Sequence, residues 1–570
     1  MIHAPNGYTI AQKIRRQVSR RLPVILLATL WISGLSAAPT ITSIANAASN
    51  IGFNFPIAQG SIFVIKGSGL GPANIFIDPQ PFQHTNTGGT SIAVTVGSTT
   101  VNALMYYASD GQVAALLPSN TPLPTTSAPM FTVTYNGQTS APIGHGIVAN
   151  NVGLFTLDSS GQGPAIVEFP DGTLVSAAKA SNCGGAITAC GAANPGDTLV
   201  LWATGLGPVN GNDASGAGLG QAINAPLTIW VGGVQVTTVL YQGRSGYIGL
   251  DQINFVVPNN APTGCAVPLV VQIGTTANTV SNTTAIPIAN GSRSCTPTNP
   301  VFSSTNVEQG VMAGPVNFAA LDLDHYLNGN GSGYFDKVDF TFAKIASYVP
   351  NTQPFFLSFF DDQPLGTCIV YPNTNANNTS PIGQVTPLDA GANFTVKGPN
   401  GTAPVAGNPG EVKTQISASG TFLVAGNYTV TGSGGADVGP FTANLTIPAS
   451  PKLISPASSN NLTITRSNGL PVTWNPNGST GHAEIQIVSA TDNTFNTGST
   501  AVCTVPASAG NFTVPPYVML ALPPNNFNFF ELSPGTVSAT AEAPFMAKGL
   551  DIGFIEAFVD GTTFGGFTLR

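Results

Sequence analysis

Short runs of alternating apolar and polar residues, separated by turn-forming residues, recur along most of the chain. Residues 60–72, GSIFVIKGSGLGP, place Phe63 and Ile65 on one side of an extended strand and Val64 on the other. Residues 388–401 also alternate and then end at glycines. Short strands separated by tight turns are typical of β-sandwiches, so the pattern predicts an all-β protein.

Three stretches of the first half of the chain occur twice in the same order, which indicates a duplicated module. The pairs are 60–72 with 196–208, 94–107 with 229–242, and 112–122 with 252–262. The matching order predicts that the two copies share one fold.

Each copy contains a Gly-Leu-Gly-Pro corner directly after a strand-like run. The corner residues are Gly69, Gly71 and Pro72 in the first copy, and Gly205, Gly207 and Pro208 in the second. Glycine adopts positive φ without strain, and proline cannot donate to a strand ladder. We interpret both corners as structural turns at which the chain leaves a sheet, and we expect Gly69 and Gly205 to hold equivalent backbone positions.

Four motifs in this region resemble a known family. They are PTITSIANAAS (39–49), GQGPAIVEFPDGTLVSAA (161–178), ATGLGPVN (203–210) and GLDQINFVVPNNAPTG (249–264). With these motifs, residues 39 to about 290 resemble the Ig-like repeat region of secreted Acidobacteria proteins, the Solibacter uncharacterised C-terminal domain family, and the broader IPT/TIG β-sandwich group. The resemblance implies tandem immunoglobulin-like β-sandwich modules and brings no known activity or catalytic residue. This chain departs from the family by continuing for some 280 residues after the region.

The composition narrows the class of protein. Charged residues make up 7% of the 570 residues, whereas soluble proteins average about 25%. The apolar fraction of 42% argues against disorder, and 65 glycines and 46 prolines suit many tight turns. The formal net charge is −8, with no basic stripe able to neutralise a run of phosphates. We therefore expect no nucleic acid partner.

The N-terminus has the order of a secretory signal. Basic residues 13–21 precede an apolar run over 22–35 and small residues at 36–38. We predict a signal peptide over residues 1–38 and export to the cell surface, the periplasm or the outside of the cell. Cleavage after Ala38 or after Ala47 and a retained anchor stay open as alternatives. No later apolar stretch has spanning length, so we expect no membrane span in the mature chain.

Six cysteines in an exported chain indicate disulfides. Their spacing proposes three pairs: Cys183 with Cys190, Cys265 with Cys295, and Cys368 with Cys503. The third pair would join segments that we assign to different modules.

The module boundaries follow the breaks in the strand pattern. We assign four β-sandwich modules to residues 39–150, 151–298, 299–450 and 451–570. The last boundary lies in a Pro-Ser segment near Ser450. Residues 333–349 are compatible with helical spacing and with strand alternation, and we assign them mainly to a strand.

Candidate chemistry is sparse. The chain lacks H-E-x-x-H, G-x-S-x-G and Walker A motifs, so we predict no catalytic, cofactor-binding or metal-ligating residues. The acidic stretch 321–340, followed by Asp361 and Asp362, offers the oxygen ligands that calcium prefers, although its spacing departs from an EF-hand. A calcium site is the alternative to a solvated loop there.

These observations favour an exported, non-enzymatic protein with a structural, adhesive or spacer role. Other proteins or extracellular polysaccharide are the expected partners. A glycan-binding module array is one alternative, although Trp202, Trp230 and Trp474 stand in strand-like runs that favour packing in a core. A hydrolase whose site is assembled from distant segments is the other alternative.

Overall fold

The protein consists almost entirely of β-strands. The computed structural model describes residues 37–51, 55–157, 159–177, 190–216, 218–274, 280–298, 314–327, 333–345, 363–374, 385–408, 410–457, 462–479, 481–490, 497–524, 527–534, 541–559, 562–565 and 567–570. Residues 38–570 form one compact unit that contains four separate apolar cores. The all-β prediction is confirmed: among the described residues, α-helix is confined to Pro516–Ala521. The predicted signal peptide lies outside these residues, apart from Ala37 and Ala38.

Sandwich 1 is built from the first twelve strands. They are β1 (Thr40–Asn46), β2 (Ile57–Ala58), β3 (Ile62–Ser68), β4 (Phe76–Ile77), β5 (Thr90–Val96), β6 (Thr99–Asn102), β7 (Leu104–Ala108), β8 (Gln112–Leu116), β9 (Met130–Tyr135), β10 (Gln138–Thr139), β11 (Ile143–Gly144) and β12 (Ile147–Val148). One sheet has the order β1-β3-β8-β7-β4, and the facing sheet has the order β10-β9-β5-β6, with β11 on β9. Strands β2 and β12 pair separately.

Sandwich 2 repeats this strand order. Its strands are β13 (Gly153–Leu154), β14 (Val167–Glu168), β15 (Leu174–Val175), β16 (Cys190–Gly191), β17 (Thr198–Thr204), β18 (Leu227–Val231), β19 (Val234–Gln235), β20 (Val239–Arg244), β21 (Asp251–Val256), β22 (Gly264–Ile273) and β23 (Thr284–Ile288). The order β17-β21-β20 matches β3-β8-β7, and β22-β18-β19 matches β9-β5-β6. The stretches that repeat in sequence therefore occupy the same places in both sandwiches.

The remaining strands build two further sandwiches. They are β24 (Val316–Leu327), β25 (Tyr334–Ile345), β26 (Thr367–Thr374), β27 (Val385–Pro387), β28 (Asn393–Gly398), β29 (Gly401–Ala406), β30 (Glu411–Ser417), β31 (Gly426–Gly432), β32 (Phe441–Ile447), β33 (Lys452–Ser455), β34 (Thr463–Ile464), β35 (Leu470–Asn475), β36 (His482–Ala490), β37 (Thr497–Pro506), β38 (Asn511–Val514), β39 (Phe527–Pro534), β40 (Ala541–Pro544), β41 (Ile552–Val559), β42 (Thr562–Gly565) and β43 (Thr568–Leu569). Short 3₁₀ turns occur at Asp213–Ser215, Arg466–Asn468 and Ala507–Ala509.

Sandwiches 3 and 4 are interleaved along the chain. Sandwich 3 pairs β27-β25-β24-β41-β40, with β30 on β25, opposite β29-β28-β31-β32. Sandwich 4 pairs β26-β37-β36-β39-β42 opposite β33-β35-β38. The chain therefore enters sandwich 4 at β26, returns to sandwich 3 at β27, and enters sandwich 4 again at β33. It returns to sandwich 3 once more at β40 and β41 before β42 completes sandwich 4. The predicted division into contiguous modules 299–450 and 451–570 is wrong, because each segment supplies strands to both sandwiches.

Two of the three proposed disulfides are present. Cys265 is bonded to Cys295, and Cys368 is bonded to Cys503. Cys368 and Cys503 lie directly opposite one another on β26 and β37. The bond therefore lies inside one sheet and does not join two modules. Cys183 lies outside the described residues, and with it the proposed Cys183–Cys190 bond.

Strand β22 connects sandwich 2 to sandwich 4. All ten of its residues are buried: Leu269 and Val271 face the core of sandwich 2, whereas Val270 joins the core of sandwich 4. Beside it, the ring of Trp230 stacks on Tyr517 at a centroid distance of 4.7 Å. A strand buried on both faces explains the continuous apolar run in the sequence.

The first Gly-Leu-Gly-Pro corner is held by the hairpin beside it. Gly69 has φ +66°, and its N–H donates to the Asp110 carboxylate at 3.2 Å. A Cβ on Gly71 would lie 2.9 Å from the carbonyl oxygen of Ser109, so close backbone approach requires glycine there. Pro72 follows outside any strand.

The second corner is more crowded. Gly205 has φ +100°, and a Cβ there would lie 2.2 Å from the carbonyl oxygen of Asn151. Gly207 has φ +140° and approaches the side chain of Asn150. Pro208 again follows outside any strand. Both corners turn the chain, but the second also lies against the segment that joins the first two sandwiches.

We predict that alanine is tolerated better at Gly69 than at Gly205. Gly69→Ala adds about 1–2 kcal/mol of backbone strain, because its Cβ meets open space apart from Pro39. Gly205→Ala adds the same strain and a clash with the backbone, so its loss of unfolding free energy should be at least about twice as large. Denaturant unfolding of the two single variants checks this, and equal losses would contradict it.

Candidate functional site: the buried polar seam

Sandwiches 1 and 2 meet at a buried polar surface, which we call the seam. At its centre, the Arg244 Nε lies 3.4 Å from the Asp251 Oδ1. The Arg244 side chain is 1% exposed and the Asp251 side chain is fully buried. In a chain with so few charges, a completely buried ion pair is the most unusual polar arrangement among the described residues. Such a pair is tolerated only where its remaining polar atoms are satisfied.

Backbone groups from both sandwiches surround the guanidinium. Arg244 Nη1 donates to the carbonyl oxygen of Gly60 in sandwich 1 at 2.7 Å, and Nη2 donates to that of Gly207 in sandwich 2 at 3.2 Å. A Cβ on Gly60 would lie 2.7 Å from Nη2, so this position has no room for a side chain. The second Gly-Leu-Gly-Pro corner is therefore part of the joint.

A second carboxylate extends the seam. The two carboxylate oxygens of Asp213 accept from the N–H of Ser119 at 2.7 Å and from its hydroxyl at 3.1 Å. The Ser119 hydroxyl in turn accepts from the N–H of Val209 at 3.1 Å. Asp213 and Ser119 are both buried. These bonds fix the end of one sandwich against the other.

Neutral side chains complete the contact. Thr204 accepts from the N–H of Ile62 at 2.9 Å and donates to the carbonyl oxygen of Gly249 at 2.7 Å. Asn46, fully buried, donates across to the carbonyl oxygen of Asn151 at 3.4 Å. Because these bonds are directional, they specify the angle between the sandwiches as well as their contact.

Burial changes the acid–base chemistry of the seam. Burial raises the pKa of Asp251 to about 6, and the attraction of Arg244 only partly offsets this. The carboxylate also accepts from the N–H of Leu206 at 2.8 Å. The Tyr106 hydroxyl, which donates to the carbonyl oxygen of Ile248, has its pKa raised by burial as well. Tyr106 therefore stays protonated and acts as a hydrogen-bond donor.

Comparison of the two copies locates the signal that our sequence analysis missed. The strand register places Arg244 and Asp251 where the first copy has Asp110 and Gly111, with residues 245–250 inserted between them. The first copy ends in an exposed tight turn, whereas the second carries a charged pair on a longer hairpin. The longer hairpin with its charged pair, which only the second copy has, therefore indicates where the two sandwiches meet.

The acidic stretch considered for calcium forms the β24–β25 hairpin. The Asp324 carboxylate lies 3.1 Å from Lys337, and that of Asp336 lies 2.6 Å from the His325 Nδ1. Burial raises the pKa of Asp322 on the same hairpin. Within the described residues, no three His, Cys, Asp or Glu side chains are grouped to hold a metal ion. Residues 328–332, Asp361 and Asp362 lie outside that part of the chain.

The histidines contact carboxylates and backbone groups. His84 lies 3.1 Å from Asp78, and His145 lies 3.1 Å from the carbonyl oxygen of Phe55. Burial lowers the pKa of His145 and of His482. Across the described ranges, no hydrogen bond joins a histidine to a serine, threonine or cysteine side chain.

Comparisons with known proteins show no family. The chain matches no protein-family model and no curated protein sequence. Among solved structures, it is similar to the I9–I11 tandem from titin, with 8% identity, 68% of this chain and 92% of that chain covered, and a TM-score of 0.12.

Two other solved structures come from bacterial surface proteins. One is a 1.5-MDa bacterial ice-binding adhesin, with 9% identity, 72% and 96% coverage of this chain and that one, and a TM-score of 0.13. The other is a surface glycan-binding protein from Prevotella bryantii, with 12% identity, 67% and 85% coverage, and a TM-score of 0.14. At these scores, none of the likenesses carries an argument about function.

No helix in the described part of the chain combines the length and the apolar composition needed to cross a bilayer.

We predict that removing one partner of the ion pair destabilises the folded protein. Arg244→Met leaves the Asp251 carboxylate buried without its counter-ion, which should lower the unfolding free energy by about 3–5 kcal/mol. The double variant R244M/D251N removes both charges and should recover part of this loss. Urea unfolding measures both effects. A loss below about 0.5 kcal/mol for R244M would contradict a structural role of the pair.

We also predict that the seam is more stable in mild acid. The pKa of Asp251 is about 6 in the folded protein, above the value of about 3.9 for an unfolded aspartate. The folded state therefore binds the proton more tightly, and the stabilisation is lost as the pH rises through 6. The melting temperature should be higher at pH 5 than at pH 7, and this difference should be smaller in D251N. Parallel pH profiles for the two proteins would contradict this.

Proposed function

We propose that the protein is an exported, non-enzymatic structural unit that acts as a stiff spacer or adhesive element at or outside the cell surface. The observation that carries the proposal is the buried Arg244–Asp251 pair, whose guanidinium donates to carbonyl groups of both sandwiches. A flexible tether needs no such joint, because sandwiches linked by a solvated linker move independently. A buried ion pair is costly unless its geometry is kept, so the joint favours one fixed angle.

The other junctions support the structural role, and the disulfides support export. Trp230 and Val270 pack sandwich 2 on sandwich 4, and sandwiches 3 and 4 exchange strands. Each junction thus has a different physical basis, and none relies on a solvated linker alone. The Cys265–Cys295 and Cys368–Cys503 bonds fit an oxidising compartment. Other proteins or extracellular polysaccharide are the proposed partners.

Localisation tests the proposal. In its native host, the intact protein should be recovered outside the cytoplasm, and non-reducing mass spectrometry should find Cys265 linked to Cys295 and Cys368 linked to Cys503. A cytoplasmic protein of known location serves as the fractionation control. Recovery in the cytoplasm with free thiols, or turnover of a substrate in a broad hydrolase panel, would overturn the proposal.

A further inference from the structure

A cleft of about 370 Å³ lies where sandwich 3 joins sandwich 4. His325 and Tyr334 line it from the β24–β25 hairpin, Ala425 lines it from the residue just before β31, and Lys452 and Asn477 line it from sandwich 4. Its volume is in the range of small-ligand pockets, and its position between two domains is where such sites commonly form. It is separate from the seam.

The histidine in the cleft is held in a fixed orientation. The buried Asp336 carboxylate lies 2.6 Å from the His325 Nδ1 and accepts from the N–H groups of Phe422 at 2.7 Å and Leu423 at 3.1 Å. The His325 ring stacks on Tyr334 at 4.5 Å, with the planes 9° apart. With Nδ1 engaged, Nε2 is the ring nitrogen that can serve a ligand.

The opposite wall carries polar groups at defined positions. Asn477 has φ +54°, its N–H donates to the Asn475 side chain at 2.9 Å, and its side chain donates to the carbonyl oxygen of Ser450 at 3.2 Å. These bonds fix the amide beside Lys452. Val424, exposed on the rim, adds an apolar surface.

The charge of the cleft is opposite to that of the chain. In the described part of the molecule, Lys452 is the permanently charged side chain among the lining residues, and no carboxylate lines the cleft. None of the ion pairs among the described residues involves Lys452. In a chain of net charge −8, a cleft with an available ammonium group favours an anionic ligand.

We propose that the cleft binds a sugar ring that carries a carboxylate, as in the uronate units of an acidic polysaccharide. The ammonium group of Lys452 pairs with the carboxylate, the Asn477 amide and the His325 Nε2 bond ring hydroxyls, and Val424 covers an apolar edge of the ring. The proposal goes beyond the structural role and does not depend on it: the cleft can fail as a site while the protein remains a stiff exported unit.

Calorimetric titration of the disulfide-intact protein with trigalacturonate, and with its neutral methyl ester, tests the site. The acid should bind at least about tenfold more tightly than the ester, because a charge-assisted hydrogen bond is roughly twice as strong as a neutral one. Lys452→Gln should reduce the affinity for the acid to that for the ester. Ala425→Trp should abolish binding of both by filling the cleft.

The matched control is Ala406→Trp, which places the same bulky side chain at an exposed alanine of β29 outside the cleft. It should leave both affinities unchanged. The proposal is overturned if wild-type protein does not bind the acid at about 10 mM, a concentration that detects even millimolar affinity. Equal binding of acid and ester, or binding that survives A425W, overturns it as well.

Discussion

The buried contact between Arg244 and Asp251 is the constraint on which the arrangement of the first two sandwiches depends. Neither side chain can be solvated, so each must keep the partners that the seam provides. The bond from Arg244 Nη1 to the carbonyl oxygen of Gly60, in the other sandwich, is kept only when the two sandwiches stand at one angle. Polar contacts of this kind contribute little net stability, but they penalise every other arrangement.

Sandwiches 3 and 4 are held together by other features than a buried ion pair. Sandwiches 3 and 4 are interleaved along the chain. In sandwich 3, for example, β24 pairs in parallel with β41 from the C-terminal region. The chain passes between the two sandwiches more than once, so they are joined by several chain connections as well as by an interface. Strand β22 extends the same body to sandwich 2, because it is buried on both faces. The proposed stiffness therefore rests on the chain connections between sandwiches 3 and 4 and on apolar burial at β22, as well as on the seam.

Local features of the fold were predictable from the sequence. The alternation in residues 333–349 predicts mainly strand, and β25 covers Tyr334–Ile345. The spacing of the cysteines predicts the Cys265–Cys295 and Cys368–Cys503 bonds that the structure contains. The positive φ of Gly69 and Gly205 follows from the turn chemistry that both copies preserve.

Sheet membership was not predictable in the same way. A strand's period says which residues share a face but not which sheet the strand joins, so β26 was assigned to the wrong module. The cleft was not predictable from the strand pattern either, since His325 and Asn477 are about 150 residues apart in the chain and line one cleft only in the folded protein. One sequence feature indicates the seam: the second copy of the repeat has the charged pair Arg244 and Asp251, and the first copy lacks it.

The distance between sandwiches 1 and 2 in solution tests the central claim most directly. Spin labels on noncanonical residues at the exposed positions Asn102 and Gln235 report this distance by double electron–electron resonance. Labels at Asn102 and Thr139, both in sandwich 1, provide the rigid reference. If the seam fixes the two sandwiches relative to one another, the distribution of distances between Asn102 and Gln235 should be as narrow as that of the reference pair. A broad or multimodal distribution would contradict it.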